Sequence, residues 1–131
     1  MKVLSLLQPW ASLVVMGHKK IETRSWTTAY RGPLLIHASQ GKSGKAFAQF
    51  PEISAHLHDF SALPFGAIIG EVWLEEVIRF EGGNDDFLQS ITLEEKAFGD
   101  FSAGRYGFVL KNAVAFDAPI AAKGKLGLWE W

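Results

Sequence analysis

Three charged side chains within six residues, Lys19, Glu22 and Arg24, have the types and spacing for acid–base chemistry or for anion binding. On a strand, Glu22 and Arg24 share one face, with their side chains about 7 Å apart. A lysine near an arginine can have a lowered pKa and act as a base, whereas a carboxylate between two cations stays ionised and orients its neighbours. The same three side chains could equally form a surface ion-pair network of small energetic value.

Two tryptophans flank this charged cluster and have rings that could stack on a base or a sugar. We expect Trp10 in the hydrophobic core, because core packing is the usual fate of a tryptophan. Trp26 shares the strand face of Glu22 and Arg24, so core packing and ligand contact both remain open for it.

The histidines and the segment at 41–45 match no known catalytic or metal-binding motif. His37 stands alone on a predicted strand, where a satisfied polar role is expected. The segment GKSGK at 41–45 lacks the six-residue frame of a phosphate-binding P-loop. His56 and His58 flank Leu57 and point differently on a helix, and the sequence has no cysteine, so we predict neither a metal site nor a cofactor.

Charge is unevenly distributed along a chain whose total is only −1 at pH 7. Residues 1–45 carry a net charge of +6, residues 71–100 a net charge of −7, and the last segment, from 105 to 131, is again positive. Such a molecule can present a cationic face to phosphates, although two solvated surface runs would explain the pattern as well.

Hydrophobic periodicity and turn residues predict the elements that must position these side chains. We predict strands at 2–6, 21–26, 34–39, 67–80 and 106–110, with a further extended piece from 118, and helices at 9–16, 45–50, 51–57 and 92–98. The strand at 67–80 is long enough to bend or bulge, and 82–85 is a loop. Thr92 is expected to cap the helix at 92–98. Five or six strands with three or four short helices, without regular alternation, predict an α+β fold with a curved sheet or small barrel.

Length and composition predict one domain over residues 1–131, since no linker or repeat interrupts the chain. Hydrophobic residues make up 48% and charged residues 21%, as in soluble proteins. No apolar run is long enough to span a bilayer. Pro9 and Trp10 argue against a signal peptide at the start, and the lack of cysteine fits the cytoplasm, where we expect the protein.

Both ends and the centre of the sequence resemble the activating signal cointegrator homology (ASCH) domain. The matching pieces are Gln8-Pro9-Trp10-Ala11, the G-x-K-x-x-E-x-R frame from Gly17 to Arg24, Arg24-Ser25-Trp26, Arg31-Gly32, Gly70-Glu71-Val72, Arg105-Tyr106-Gly107-Phe108, Pro119-Ile120 and 123–129. The resemblance implies a curved β-barrel of the kind found in pseudouridine synthase and archaeosine transglycosylase (PUA) domains. It also implies a cleft beside the first helix that collects the G-x-K-x-x-E-x-R motif and binds nucleic acid.

On this resemblance we expect the chain to bind nucleic acid, RNA in preference to DNA, or else a nucleoside. Phosphates would meet Lys19, Lys20, Arg24 and Arg31, and Trp26 or Tyr106 would stack on a base. The full set of expected nucleic-acid-binding residues is Lys19, Lys20, Glu22, Arg24, Trp26, Arg31, Tyr106 and Lys123.

The resemblance leaves open whether the protein is an enzyme, in which case Lys19 and Glu22 would be catalytic. Some small bacterial relatives look to be N4-acetylcytidine amidohydrolases that use Lys, Thr and Glu; here Lys19 matches, but Glu22 occupies the Thr position. Thr23 lies one residue away and would face the other side of a strand. Ribonuclease chemistry could use Lys19, Glu22, Arg24 and Tyr106. A third hypothesis is a small-molecule or partner-binding domain in which the charged motif is only structural.

Overall fold

Six strands and several short helices build the fold over residues 1–57, 59–82 and 85–131, which a computed structural model describes. The strands are β1 (Lys2–Leu6), β2 (Ile21–Arg24), β3 (Gly32–Ala38), β4 (Ala67–Arg79), β5 (Tyr106–Ala121) and β6 (Leu128–Glu130). The α-helices are α1 (Trp10–Val15), α2 (Pro51–Ser54), α3 (Asp86–Ser90) and α4 (Leu93–Ala97), and 3₁₀ helices cover Ser43–Gln49 and Phe60–Ala62. The expected α+β composition is confirmed.

All six strands belong to one curled sheet in the order β2-β5-β4-β3-β1-β6. Among these described strands the β1–β3 pair is parallel, and each other neighbouring pair is antiparallel. The register between β4 and β5 shifts at three points, which confirms the expected irregularity in the long fourth strand. Because each bulge bends its strand and increases its twist, the sheet curls into a half-barrel rather than lying flat.

Helix α1 packs into the hollow of this sheet, against β3, β4 and β5. Val14 and Val15 join the main core with residues of the strands. Gly70 allows this close approach: a Cβ at that position would lie 2.5 Å from both Val15 Cγ1 and the carbonyl oxygen of Val114. The first helix is therefore fixed between the start of the chain and the middle of the sheet.

Several segments differ from the sequence-based expectation, among them α3 at Asp86–Ser90, where no helix was predicted. β5 is one continuous strand from Tyr106 to Ala121, whereas we predicted a strand at 106–110 and a separate piece from 118. The predicted helix at 45–50 is a 3₁₀ helix at Ser43–Gln49, and α2 stops at Ser54. By contrast, Thr92 caps α4 as predicted, since its hydroxyl accepts a hydrogen bond from Glu95 N at 3.1 Å.

Part of the predicted loop at 82–85 cannot be compared, because Gly83 and Asn84 lie outside the described residues. No helix in the described ranges has both the length and the apolar composition needed to cross a bilayer.

Candidate functional site

A cleft of about 1290 Å³ is the larger of the two main concavities in the described part of the chain. Its lining comes from β1 and α1, from residues 22–26 at the end of β2, from residues 97–100 after α4, and from residues 122–127 between β5 and β6. Pockets for small molecules usually enclose about 300–1000 Å³. The cleft is therefore large enough to take more than one nucleoside-sized group.

Cations from distant parts of the sequence meet in this cleft. Arg24 comes from β2, Arg105 precedes β5, and Lys123 and Lys125 follow β5. The lining also contains two carboxylates, Glu22 and Asp100. Four basic and two acidic residues therefore line the cleft, although the whole chain carries a charge of −1.

Arg24 and Glu22 form an ion pair on one face of β2, as the strand alternation predicts. Arg24 Nη2 lies 3.0 Å from Glu22 Oε2 and donates a hydrogen bond to the Ser5 carbonyl at 2.9 Å. The two side chains are 27% and 11% exposed. Since β2 and β1 are not neighbours in the sheet, Arg24 links them through its side chain and fixes the carboxylate between them.

Lys19 lies beneath the cleft, with its side chain fully buried. Its Nζ donates hydrogen bonds to the carbonyls of Ile21 and Phe98, and Glu22 Oε1 lies 3.6 Å away. Burial lowers the pKa of Lys19, while the charges of Glu22 and Glu95 oppose that shift. We expected Lys19 among the phosphate contacts, but an ammonium with three oxygen partners and no exposed surface does not reach a ligand in the cleft. It anchors Glu22 and the segment after α4 instead.

Three further residues expected in the site do not line the cleft. Lys20 is exposed beside the smaller hollow, and its backbone N donates to Glu95 Oε1 at 2.8 Å. Arg31 is exposed, and its Nη1 donates to the carbonyl of Tyr30 at 2.8 Å. Tyr106 packs against the main core. In this arrangement Lys20 and Arg31 belong to other surfaces of the molecule, and Tyr106 contributes to core packing.

Both tryptophans that flank the charged motif line the cleft. Trp26 packs edge-on against Phe108, with ring centroids 5.3 Å apart at 89°. Trp10, which we expected in the core, is only half-buried: one part packs against the cluster around Ile53 and another faces the cleft.

Several cleft residues were not among those predicted from the sequence. Arg105, Lys125, Asp100, Phe47 and Phe50 all line it. Arg105 and Lys125 belong to sequence segments on which the ASCH resemblance rests, so the sequence did indicate that these two residues could contribute to the site. Phe47 lies in the 3₁₀ helix and Phe50 directly follows its last residue, but the sequence does not show which surface the two rings face.

His37 is a satisfied polar residue in the cleft wall, as expected for a lone histidine on a strand. Its Nε2 lies 2.7 Å from the Ala122 carbonyl, so this nitrogen carries the proton, and Nδ1 accepts from Ser5 Oγ at 3.0 Å. Ser5 Oγ in turn accepts from Trp129 Nε1 at 3.0 Å. A Cβ at Gly124 would lie 2.7 Å from His37 Cε1, so this network holds residues 122–124 closely against the cleft.

A pair of stacked histidines lies outside the cleft. The rings of His18 and His56 stack with centroids 3.7 Å apart, and His56 Nε2 lies 3.3 Å from Glu94 Oε1. Partial burial and the neighbouring His56 lower the pKa of His18. His58 lies outside the described residues, and within those residues no group of three or more metal-ligating side chains is assembled.

Comparison with known families agrees with the fold. The model of the ASCH domain matches residues 4–113. The chain belongs to the ASCH domain family. Its PUA-like fold also agrees with the ASCH protein of Zymomonas mobilis, at a TM-score of 0.58 and 20% identity over 92% of this chain and 72% of that one. The Y47F mutant of the same protein gives a TM-score of 0.54 and 18% identity, covering 92% and 74% of the two chains.

Two longer proteins share a short segment with this ASCH domain. Activating signal cointegrator 1 of Homo sapiens is 56% identical over 39 residues, which are 30% of this chain and 7% of that protein. The Mus musculus protein of the same name is 58% identical over 36 residues, or 28% of this chain and 6% of its own length. The similarity therefore covers a small part of those proteins.

Proposed function

We propose that this ASCH domain binds nucleic acid, with RNA preferred over DNA, in the cleft described above. One observation carries the proposal: a single cleft of about 1290 Å³ is lined by four basic residues and an aromatic ring, namely Arg24, Arg105, Lys123, Lys125 and Trp26. Phosphates are bound by such cations, and bases stack on aromatic rings.

The roles of the two carboxylates follow from their partners. Glu22 is neutralised by Arg24 and Lys19, so it orients the guanidinium rather than repelling a phosphate. Asp100 lies 3.5 Å from Arg105 and is exposed at the rim. Polar side chains in the lining, Ser39 and Gln40, supply hydrogen-bonding groups for a 2′-hydroxyl, which is the group that distinguishes RNA from DNA.

Titration of the protein with fluorescent RNA and DNA of the same sequence, at low salt, tests this proposal. We expect both to bind, RNA more tightly, and we expect Lys123→Glu to weaken both strongly because it reverses one charge in the cleft. Lys96→Glu, on the exposed surface of α4, is the matched control and should have a smaller effect. Absence of binding to either nucleic acid at low salt would lead us to abandon the proposal.

A second candidate function is hydrolysis of a modified nucleoside such as N4-acetylcytidine, or cleavage of RNA. The observation in its favour is the contact between Glu22, which lines the cleft, and Lys19, whose pKa is lowered by burial. Two features weigh against it. Lys19 Nζ is fully engaged below the surface. Thr23 Oγ1 accepts a hydrogen bond from Asp100 N at 3.2 Å, so it has a structural partner.

Incubation with N4-acetylcytidine and with end-labelled RNA tests the enzymatic alternative. Turnover that is lost in Glu22→Gln, in a variant shown to be folded, would support it. No turnover of either compound, or turnover unchanged in Lys19→Ala and Glu22→Gln, would count against it.

We also propose that residues 1–131 act as one domain and that the protein is cytoplasmic. The first and last strands, β1 and β6, pair directly with Lys2 opposite Glu130, so both ends of the sequence are part of the same sheet. The sequence contains no cysteine, which fits a reducing compartment.

A further inference from the structure

We propose that Trp10, Phe47 and Phe50 form a base-stacking platform that makes the cleft selective for single-stranded nucleic acid. This inference rests on the proposed function and names the strand type and the subsite. The platform lies in the same cleft as the cations, but its phenylalanines come from a segment outside the charged motif.

The three rings form a continuous aromatic chain. The centroids of Trp10 and Phe47 are 5.5 Å apart at 54°, and those of Phe47 and Phe50 are 5.6 Å apart at 77°. Phe47 is 44% exposed and Phe50 is 47% exposed. Two neighbouring phenylalanines that stay so exposed at the edge of a cleft mark a contact surface rather than a part of the core.

The backbone that carries this platform is held rigidly. Gly44, in the 3₁₀ helix, packs on the chain before α1 so closely that a Cβ there would lie 1.9 Å from the Gln8 carbonyl oxygen. On the other side of Phe50, Ile53 is completely buried in a cluster with Leu13 and Phe98. A surface fixed at both ends loses little conformational freedom when a ligand binds, which favours affinity.

The combination of cations and exposed rings selects the kind of ligand. In a single strand the base faces are free, so one base can lie on the platform while its phosphates contact Lys123 and Lys125 in the same cleft. In a duplex the bases are stacked inside and present only edges and phosphates. An apolar protein segment would use the rings but not the cations, so single-stranded nucleic acid is the ligand that uses both.

The experiment compares three RNA ligands of equal length: a single strand, the same strand with abasic sites, and a duplex. The protein variants are Phe47→Ala, Phe50→Ala and the conservative Phe47→Trp, and Trp73→Ala is the control. Trp73 is 43% exposed on β4 and does not line the cleft. All three positions have exposed side chains, and circular dichroism and thermal unfolding verify that each of the four variants is folded.

We expect Phe47→Ala or Phe50→Ala to weaken binding of the single strand by about 5- to 150-fold per lost stacked base. Binding of the abasic strand and of the duplex should change little, and Phe47→Trp should keep most of the affinity. Two results would overturn the proposal of a stacking platform while leaving nucleic-acid binding in place. One is that the alanine variants weaken binding of all three ligands equally. The other is that the wild-type protein binds the abasic strand as tightly as the intact strand. If no ligand binds at all, the proposed function fails and the platform with it.

Discussion

The guanidinium of Arg24 lies 3.0 Å from the carboxylate of Glu22, on the same face of the edge strand β2. The same nitrogen, Nη2, reaches the Ser5 carbonyl on β1, which is not a neighbour of β2 in the sheet. The pair therefore has two effects: it connects two strands across the open side of the half-barrel, and it fixes the position of a cation in the cleft.

Replacement of Arg24 by alanine is expected to reduce both stability and binding. The Ser5 carbonyl and the Glu22 carboxylate lose a charged donor, which costs about 1–3 kcal/mol in the free energy of unfolding. RNA affinity should fall at least about tenfold in protein that is still folded, because one cation is lost and Glu22 becomes less neutralised.

The control is Arg79→Ala, which breaks an exposed ion pair with Glu81 and should lower the free energy of unfolding by less than about 1 kcal/mol. Denaturant unfolding and anisotropy titration give the two values. A loss of affinity that only parallels the loss of folded protein would favour the hypothesis that the motif is purely structural.

Replacement of Lys19 by alanine should act mainly on folding. Its ammonium is buried with the Phe98 carbonyl and Glu22 as partners, and removal of one member of such a buried group costs about 3 kcal/mol. Lys20→Ala removes an exposed side chain next to it and should change the free energy of unfolding by less than about 0.5 kcal/mol. Urea denaturation compares the two variants. A Lys19→Ala protein as stable as wild type would show that the buried lysine does not hold the segment after α4.

The pH dependence of stability should depend on Glu95. Burial raises the pKa of this carboxyl, although the Lys20 backbone N–H and the charge of Lys19 act in the opposite direction. The folded state then binds the proton more tightly than the unfolded state. The contribution of Glu95 to stability is therefore greatest below the ordinary carboxyl pKa of 4.5 and declines as pH rises through the raised folded value.

Glu95→Gln removes this titration and tests the sign. Relative to wild type, the variant should become progressively more stable between pH 4 and pH 7 in urea unfolding experiments. Glu76→Gln, at an exposed position of β4, is the control. The assignment is contradicted if the difference between wild type and Glu95→Gln stays constant with pH or changes in the other direction.

Gly44→Ala should disrupt the 3₁₀ helix that carries Phe47 and leads directly into Phe50. The added Cβ would lie 1.9 Å from the Gln8 carbonyl oxygen, a backbone atom that cannot move away easily, so we expect a loss of about 1–3 kcal/mol. Gly41→Ala, where the nearest atom is the flexible end of Leu7 at 3.1 Å, should be nearly neutral. Thermal unfolding measures both. Equal melting temperatures for the two variants would show that the close approach at Gly44 is not a constraint.

Local patterns predicted the parts of the fold whose cause is local. The strand at Lys2–Leu6, the shared face of Glu22 and Arg24, the Thr92 cap and the irregular long strand β4 all follow from periodicity or capping. The continuity of β5 was missed because pairing along the whole of β4, rather than the sequence of β5 itself, keeps it extended.

The site was predicted less completely because its residues depend on partners far away in the sequence. Lys19 is buried through a hydrogen bond to Phe98, 79 residues later. A charged residue in a turn is ordinarily exposed, so nothing near Lys19 in the sequence indicates this burial. The apolar side chain of Trp10 by itself predicts a place in the core. The cleft that Trp10 lines is built from distant segments of the chain, so the residues next to Trp10 in the sequence do not indicate it.

The salt dependence of RNA affinity is the most direct test of the claim that the cleft cations bind phosphates. For two to four phosphates on a single strand, the logarithm of the association constant should fall with the logarithm of salt concentration with a slope of about −1.4 to −2.8. Lys123→Ala should make that slope shallower by about 0.7. A slope near zero, or a slope that Lys123→Ala leaves unchanged, would contradict the proposal that nucleic acid binds in this cleft.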